Sequence, residues 1–230
     1  IPAYYEIKKI LIQMEPDIVH THSAKAGILG RLAGYKLKKQ SQNNKPVVIH
    51  SIHGLAFHPY QSGMLNKFYI TIEKFTARKT DFFICVADAM TNQALAAGIG
   101  KREQYITAYS AIEEDDYLKT FSQEKIKQFR QKYQIPENAV VLVTIARLFM
   151  LKGHDYIIES AKTLSKQFDN CFWLFVGDGN LSEHYKRQVQ DLGLSGKFRF
   201  TGLLSPSEIP LVIASSDILV HCSLREGLAR

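Results

Sequence analysis

The sequence contains 230 residues, 46% of them hydrophobic, and carries a formal net charge of +7 at pH 7. This composition supplies enough apolar side chains for two small folded domains and argues against a disordered chain. No apolar run approaches the roughly 20 residues that a membrane-spanning helix needs. The positive charge favours an anionic partner such as a nucleotide, an acidic lipid or a nucleic acid.

The first half of the sequence predicts strands that alternate with helices. We expect helices at residues 4–15, 25–39, 66–79 and 88–97, strands at 17–22, 46–52, 81–86 and 104–109, and a loop at 54–65. Ser23 is expected to cap the second helix. Within that helix, Gly27, Gly30 and Gly34 predict close packing against the sheet.

A change of composition separates this half from the next. Residues 113–136 combine an acidic stretch with a charged helix, which predicts a linker between domains at 1–112 and 137–230. We expect strands at 139–145, 171–176, 197–201 and 217–222, and helices at 153–167, 181–192 and 205–214. Alternation at this spacing predicts parallel, right-handed βαβ units, and therefore two Rossmann-like, doubly wound α/β domains.

The ends of the sequence and its cysteines bear on what kind of molecule this is. The sequence has no initiator methionine and ends soon after a predicted buried strand, so we expect an internal piece of a longer protein with both domains incomplete. The cysteines Cys85, Cys171 and Cys222 lie in apolar runs without Cys-x-x-Cys spacing. This pattern predicts buried thiols in a reducing compartment, and hence a cytoplasmic location.

The most informative stretch runs from Val140 to Lys162. An apolar run that predicts a buried strand ends at Arg147, and Lys152-Gly153 precedes a predicted helix. Open α/β sheets bind ligands at the carboxyl ends of strands, where a helix start offers unpaired N–H groups and a positive dipole end. The two cations therefore predict an anion site, with an ordinary βα unit as the alternative.

Two further segments follow predicted strands of the same half. Gly177 and Gly179 supply the first two glycines of a dinucleotide fingerprint without the third, so NAD or FAD binding is poorly supported. They predict either a turn that a ligand can approach closely or a plain turn. Glu226, beside Gly227, predicts a carboxylate for a hydroxyl-rich ligand, or an acid that stabilises a helix dipole. If these groups converge with the two cations, they form a site for a sugar diphosphate.

The histidines of the first half are also candidates. A metal site is conceivable for His20, His22, His50, His53 and His58, but no carboxylate or cysteine accompanies them at ligand spacing. Hydrogen bonds to loops are the favoured alternative, so no metal is expected. Among them, His53 ends a predicted strand, which is where α/β enzymes place site residues.

Taken together, these motifs resemble the retaining GT-B glycosyltransferases of family 4. The resemblance covers nearly the whole chain and rests on the order and spacing of several segments. These are Arg147 to Gly153, Gly177 to Gly179, Phe200 to Gly202 with 205–209, Ser223 to Leu228, and in the first half residues 20–33, 49–54 and 84–90. The resemblance implies two domains that face each other across a cleft.

The resemblance also implies a role for each candidate residue. Arg147 and Lys152 would hold the donor diphosphate and stabilise its charge as it leaves. Glu226 would bind hydroxyls of the donor sugar, and His53 would reach the reacting sugar. The remaining donor-binding positions would be Gly177, Gly179, Leu203, Gly227 and Leu228. No metal or resident cofactor is expected.

The expected substrates follow from the same resemblance. The donor would be a UDP- or GDP-linked sugar, and the acceptor a saccharide or a lipid-linked saccharide of the cell envelope. The basic segment Lys36–Lys45 and the aromatic loop Phe57–Tyr60 indicate either peripheral contact with the anionic inner face of the cell membrane or, as the favoured interpretation, a solvated helix end and an ordinary acceptor loop. The basic residues are scattered, so no nucleic acid is expected. A nucleotide-sugar epimerase and a non-catalytic nucleotide-binding module are the alternatives.

Overall fold

The structure, a computed structural model, describes residues 2–111 and 114–226. Contacts between Cα atoms divide it into a first unit that extends to residue 111 and a second unit from residue 114 to Arg225. Within the described residues, each unit contains one four-stranded parallel sheet. This confirms the α/β class that the alternating pattern predicts.

The first unit alternates helices and strands along the chain. Its elements are α1 (Pro2–Met14), β1 (Ile18–His22), α2 (Ala24–Gln40), β2 (Val47–Ile52), α3 (Gly63–Ala77), β3 (Phe82–Cys85), α4 (Asp88–Ala96) and β4 (Tyr105–Thr107). The sheet order is β1-β2-β3-β4, and each neighbouring pair is parallel. The carboxyl ends of these strands therefore share one edge of the sheet. In the core, the rings of Phe83 and Tyr105 stack with centroids 4.7 Å apart.

Helix α2 packs closely on this sheet because three of its residues lack a side chain. A Cβ atom on Gly27 would stand 2.4 Å from Cε1 of His50, and one on Gly30 would stand 2.7 Å from Cγ2 of Thr21. At Gly34 the nearest atom, a methyl carbon of β2, would be 3.2 Å away. The predicted close packing of these glycines is confirmed.

The second unit repeats the rhythm with a different strand order. Its elements are α5 (Glu114–Tyr117), α6 (Gln123–Lys132), β5 (Val140–Ile145), α7 (His154–Gln167), β6 (Cys171–Val176), α8 (Ser182–Asp191), β7 (Phe198–Gly202), α9 (Ile209–Ala214) and β8 (Ile218–Leu219). The order β7-β6-β5-β8 shows that the chain builds outward from β5 and then returns to its other side. Aromatic rings fill one face of this sheet, where Trp173 and Phe198 stack with centroids 5.2 Å apart.

The charged helix α6 lies within the second unit. Phe129 packs in the core beside Val141. The Arg130 guanidinium donates to the backbone oxygen of Ser215 at 3.0 Å and pairs with Asp217 at 3.1 Å. Helix α6 lies in the predicted linker, residues 113–136, and these contacts join it to residues of the predicted second domain.

Two expectations about the last strand were wrong. A buried strand was expected at 217–222, but β8 spans Ile218–Leu219 and these side chains are 49% and 60% exposed. Among the described strands, β8 pairs only with β5 and forms the edge of the sheet, so water reaches it.

Two of the three cysteines are less buried than the sequence predicts. Cys222, which follows β8, is exposed, and Cys171 at the start of β6 is only partly buried.

Three helix starts also differ from expectation. Helix α3 begins at Gly63, three residues early, because the Ser62 hydroxyl accepts a hydrogen bond from the Leu65 N–H at 3.3 Å and caps the helix. Ser23 precedes α2 but has a φ of 58° and makes no side-chain cap. The helix expected at 205–214 is divided into a 3-10 turn at Pro206–Glu208 and α9.

Candidate functional site

The second sheet reverses its strand order at β5. Strands β6 and β8 flank β5 on its two sides, so the loops after β5 and β8 leave the sheet at the same edge. Open α/β sheets bind ligands in the crevice at such a reversal, outside the carboxyl ends of the strands. This crevice is the candidate ligand site of the second unit.

The loop after β5 is tied to the segment after β8. The Leu224 N–H donates to the Leu151 backbone oxygen at 2.9 Å, and the Ser223 hydroxyl donates to the same oxygen at 3.1 Å. Gly153 has a φ of 81°, and a Cβ atom there would stand 2.1 Å from the Cys222 backbone oxygen. Only glycine permits this approach of two backbones. The resulting clasp fixes both loops of the crevice against each other.

Arg147 and Lys152 lie in this loop, between β5 and α7. The Arg147 side chain is exposed, with its guanidinium carbon 4.8 Å from the centroid of the Phe149 ring. Lys152 is half-buried and directly precedes Gly153, the N-cap residue of α7. One loop thus carries two cations, and one of them, Lys152, lies directly before the positive end of a 14-residue helix. This combination suits a phosphate group.

The turn after β6 packs on the same loop. A Cβ atom on Gly177 would stand 2.2 Å from the Ala146 backbone oxygen, and one on Gly179 would stand 2.3 Å from that of Leu148. The Leu148 N–H also donates to the Asp178 backbone oxygen at 2.9 Å. The chain's own backbone therefore requires both glycines, which the sequence analysis assigned either to a ligand or to a plain turn. Their role in donor binding stays a prediction.

Leu203 follows β7 at the neighbouring corner of the sheet. The Gly177 N–H donates to the Gly202 backbone oxygen at 3.0 Å, so the turns after β6 and β7 adjoin. The Leu203 side chain is 81% exposed. Leu203 therefore presents an exposed apolar side chain at the same edge of the sheet as the crevice, and its contact with a nucleobase stays a prediction.

The carboxylate side of the predicted site is described only in part. Glu226 is exposed, lies one residue beyond the second unit, and is the last residue that the structure describes. Gly227 and Leu228 lie outside the described residues. The convergence of Glu226 with Arg147 and Lys152 therefore stays a prediction.

In the first unit, histidines gather where β1 and β2 end. Nδ1 of His22 lies 3.0 Å from Nε2 of His53, and Nε2 of His20 lies 2.7 Å from the Ser51 hydroxyl oxygen. On the other face of the sheet, Nδ1 of His50 lies 2.9 Å from the Thr21 hydroxyl oxygen. These contacts favour the hydrogen-bonding interpretation of the histidines.

A recess of about 350 Å³ opens beside this cluster. Its lining includes His22, His53 and the carboxylate residue Glu73 from α3. Oε2 of Glu73 accepts a hydrogen bond at 2.8 Å from Arg31, a residue of α2 whose side chain is fully buried. The sequence analysis missed this pair. The sequence signal for a buried ion pair was one arginine, Arg31, on the glycine-rich face of α2 that packs on the sheet.

The described residues contain neither a metal-binding cluster nor a membrane-spanning helix. Within residues 2–111 and 114–226, no cluster of three or more His, Cys, Asp or Glu side chains is arranged to hold a metal ion. The helices of the same residues include none that is long and apolar enough to cross a membrane.

Two protein-family models match the chain and together span nearly all of it. The model described as Glycosyltransferase Family 4 matches residues 1–106, and the model described as Glycosyl transferases group 1 matches residues 125–230. The chain belongs to glycosyltransferase family 4. The family predicted from the motifs is confirmed.

Relatives of known name agree with this assignment to family 4. EpsD of Bacillus subtilis, named as a glycosyltransferase, is 28% identical over 232 residues, which cover 98% of this chain and 58% of EpsD. The UDP-Gal:alpha-D-GlcNAc-diphosphoundecaprenol alpha-1,3-galactosyltransferase of Escherichia coli is 26% identical over 223 residues, covering 96% of this chain and 55% of that enzyme. The chain thus spans little more than half the length of these curated relatives.

A solved structure confirms the fold class. HepE of Anabaena, crystallised in complex with UDP-glucose, superimposes with a TM-score of 0.79 at 20% identity. The match covers 98% of this chain and 58% of the HepE chain. The predicted GT-B fold of this family 4 chain is confirmed.

Two buried histidines make the stability of this family 4 chain dependent on pH. Burial is the main cause that lowers the pKa of His50 to about 3 and that of His154 to about 4, from an ordinary value of 6.5. The unfolded chain therefore binds protons below pH 6.5 that the folded chain does not bind. The stability that each neutral ring contributes is complete above pH 6.5 and is lost toward pH 4 or 3.

The expected loss near pH 5 is about 1 to 2 kcal/mol for each histidine. Urea unfolding of the wild type and of His154→Phe, at about pH 7 and pH 5, measures the contribution of His154. The aromatic replacement suits the rings of Phe175 and Tyr185 that contact His154. An equal loss of stability in the wild type and the variant would contradict this account.

Proposed function

We propose that the protein transfers a sugar, with retention of configuration, from a nucleoside diphosphate sugar to an acceptor. The observation that carries this proposal is the crevice at the strand reversal, where the clasped loop that leads into α7 carries Arg147 and Lys152. Fixed cations and helix N–H groups stabilise the charge that develops on a departing diphosphate. No metal is needed in this scheme, since the two cations take that role.

The remaining candidate residues complete the proposal. Glu226 would hold hydroxyls of the donor sugar through its carboxylate oxygens. Backbone groups of Gly227 and Leu228 would contact the sugar phosphate, and His53 would contact the reacting sugar. The departing phosphate would help to deprotonate the acceptor hydroxyl. Leu203 would contact the nucleobase at the rim of the crevice.

UDP is the proposed nucleotide of the donor. HepE of Anabaena was crystallised with UDP-glucose, and the E. coli relative is named for a UDP-galactose donor. Both proteins match nearly the whole of this chain. The E. coli name also specifies a diphosphoundecaprenol acceptor, which supports a lipid-linked acceptor, an envelope role and a cytoplasmic, membrane-peripheral location for the present protein.

A product assay with the full-length protein tests the transfer. The expected result is a product that forms from a UDP-sugar only when a saccharide or polyprenyl-diphosphate acceptor is present, with the anomeric configuration of the donor retained. An altered donor sugar in the absence of acceptor would instead support an epimerase. Donor binding without turnover would support a non-catalytic module.

The proposed membrane contact is better supported at α3 than at the segment first expected. Within Lys36–Lys45, Lys38 pairs with Asp81 at 2.7 Å and Lys45 pairs with Asp17 at 2.5 Å, which reduces the net charge of this segment. Helix α3 instead presents an exposed face that combines apolar and basic side chains. We call this face the α3 ridge; it comprises Met64, Phe68 and Phe75 (86%, 57% and 52% exposed) with Lys67, Lys74 and Arg78.

The α3 ridge has the composition of a helix that lies on an anionic bilayer. We expect the protein to sediment with vesicles that contain acidic lipid and to bind neutral vesicles more weakly.

Variants of the α3 ridge test its role in this binding. Lys67→Ala should weaken binding about fivefold, the effect of one basic residue near such a surface. Phe68→Ser should weaken it further. Phe168→Ser is the matched control, because Phe168 is 51% exposed in the second unit. Sedimentation that is independent of acidic lipid would contradict the proposal.

A further inference from the structure

The rings of His22 and His53 form a hydrogen-bonded pair at the carboxyl ends of β1 and β2. Nδ1 of His22 lies 3.0 Å from Nε2 of His53, and the ring planes are within 20° of parallel with centroids 5.3 Å apart. In a neutral pair one nitrogen donates and the other accepts, so the tautomer of one ring determines that of the other. The contact occupies Nε2 of His53 and leaves Nδ1 as the nitrogen that a ligand would meet.

His22 is itself held in place by its neighbours in the sheet. The His20 ring lies on the same face of β1, with its centroid 4.3 Å from that of His22. Nε2 of His20 lies 2.7 Å from the hydroxyl oxygen of Ser51, a buried residue that pairs in register with His22. Desolvation, followed by the charges of His22 and His53, lowers the pKa of His20. A continuous chain of contacts therefore runs from Ser51 through His20 and His22 to His53.

We infer that His22 is a positioning residue that fixes the orientation and tautomer of His53. The inference rests on the proposed function, in which His53 contacts the reacting sugar. With His22 donating, His53 would present Nδ1–H toward a ligand; with His22 accepting, it would present a bare Nδ1. In either arrangement the protonation of Nδ1 of His53 is tied to that of His22 before substrate binds, and the ring is held in one orientation.

The position of His22 distinguishes a positioning role from a general structural role in the sheet. The His22 side chain is exposed and lines the recess of the first unit, together with His53 and Glu73. It contributes nothing to the buried cluster around Phe83, which forms the core of the first unit. A substitution of His22 is therefore expected to leave the fold intact and to act through His53.

Nitrogen-15 NMR of the full-length protein, labelled at histidine, reads the tautomer of His53 directly. The wild type should show one ring nitrogen protonated and the other bare. His22→Leu removes the partner and should give averaged shifts from both tautomers. His22→Asn places an amide where Nδ1 lies and should restore a single tautomer. Unchanged His53 shifts in His22→Leu would overturn the inference.

Kinetics supply the second measurement. His22→Leu should lower kcat about tenfold while KM for the UDP-sugar changes little, because the contact acts on orientation and not on donor binding. His22→Asn should recover most of that loss, and His184→Leu, an exposed histidine of α8, should match the wild type. Equal losses in His22→Asn and His22→Leu would overturn the inference. If the wild type transfers no sugar, the proposed function fails, and the NMR measurement still decides the role of His22.

Discussion

Replacing Lys152 with alanine is expected to lower kcat/KM for the sugar donor by about a hundredfold to a thousandfold, the usual effect of removing one group that stabilises developing charge. Lys152 directly precedes the N-cap of α7, in the loop that is clasped to the segment after β8. In the proposed site its ammonium group stabilises the charge of the departing diphosphate, so the loss should appear in kcat as well as in KM. Steady-state kinetics of the full-length protein measure the effect.

Two controls separate this effect from a loss of folding. Lys162→Ala removes a lysine from the exposed side of α7, where it pairs with Glu159 at 3.8 Å, and should change kcat/KM little. The Lys152→Ala variant should unfold within a few degrees of the wild type. Turnover of Lys152→Ala equal to that of Lys162→Ala would remove Lys152 from the site.

Gly153→Ala is expected to destabilise the second unit by about 3 kcal/mol or more and to abolish donor binding. Two independent costs add at this position. The φ of 81° is unfavourable for alanine, and the new Cβ atom would stand 2.1 Å from the backbone oxygen of Cys222. The clasp between the loops after β5 and β8 must then open, which displaces the start of α7. Urea unfolding and calorimetric titration with UDP measure the two effects.

Gly193→Ala is the matched control for the backbone cost alone. Gly193 has a φ of 69°, and a Cβ atom there would meet nothing within 4 Å. This variant should lose only about 1 to 2 kcal/mol, the cost of a left-handed alanine, and should bind UDP normally. Equal losses in the two variants would show that the contact between Gly153 and Cys222 does not govern the site.

The order of elements could be predicted because the local signals are strong. The run CFWLFV fixes β6 at Cys171–Val176, the expected residues, and its side chains are nearly all buried. The same signals misjudge β8. Its sequence is as apolar as that of a buried strand, but position in the sheet decides burial, and among the described strands β8 pairs only with β5. Strand order is set by long-range pairing that a local pattern does not contain.

The glycines of the second unit show the same limit at the candidate site. The sequence marks Gly177 and Gly179 as special and leaves a ligand loop or a plain turn open. The structure shows that the backbone oxygens of Ala146 and Leu148 occupy the space that side chains would need. A glycine signals close approach without naming what approaches. The partner comes from a different loop, about 30 residues away in sequence.

Contacts between distant polar residues were the least accessible to sequence reasoning. His22 and His53 are separated by 31 positions, and Arg31 and Glu73 by 42. The alternation of β1 correctly places His20 and His22 on one face. The register of β1 against β2 then brings His22 within hydrogen-bond distance of His53.

The measurement that tests the central claim most directly is a thermal-shift titration of the full-length protein with UDP, GDP, ADP and their sugars. A ligand that binds the folded state raises the unfolding midpoint in proportion to ln(1 + [L]/Kd). We expect a shift with UDP and UDP-sugars, and a much smaller one in the Arg147→Ala and Lys152→Ala variants. No shift with any nucleotide, or equal shifts in the wild type and both variants, would contradict a diphosphate site at the strand reversal.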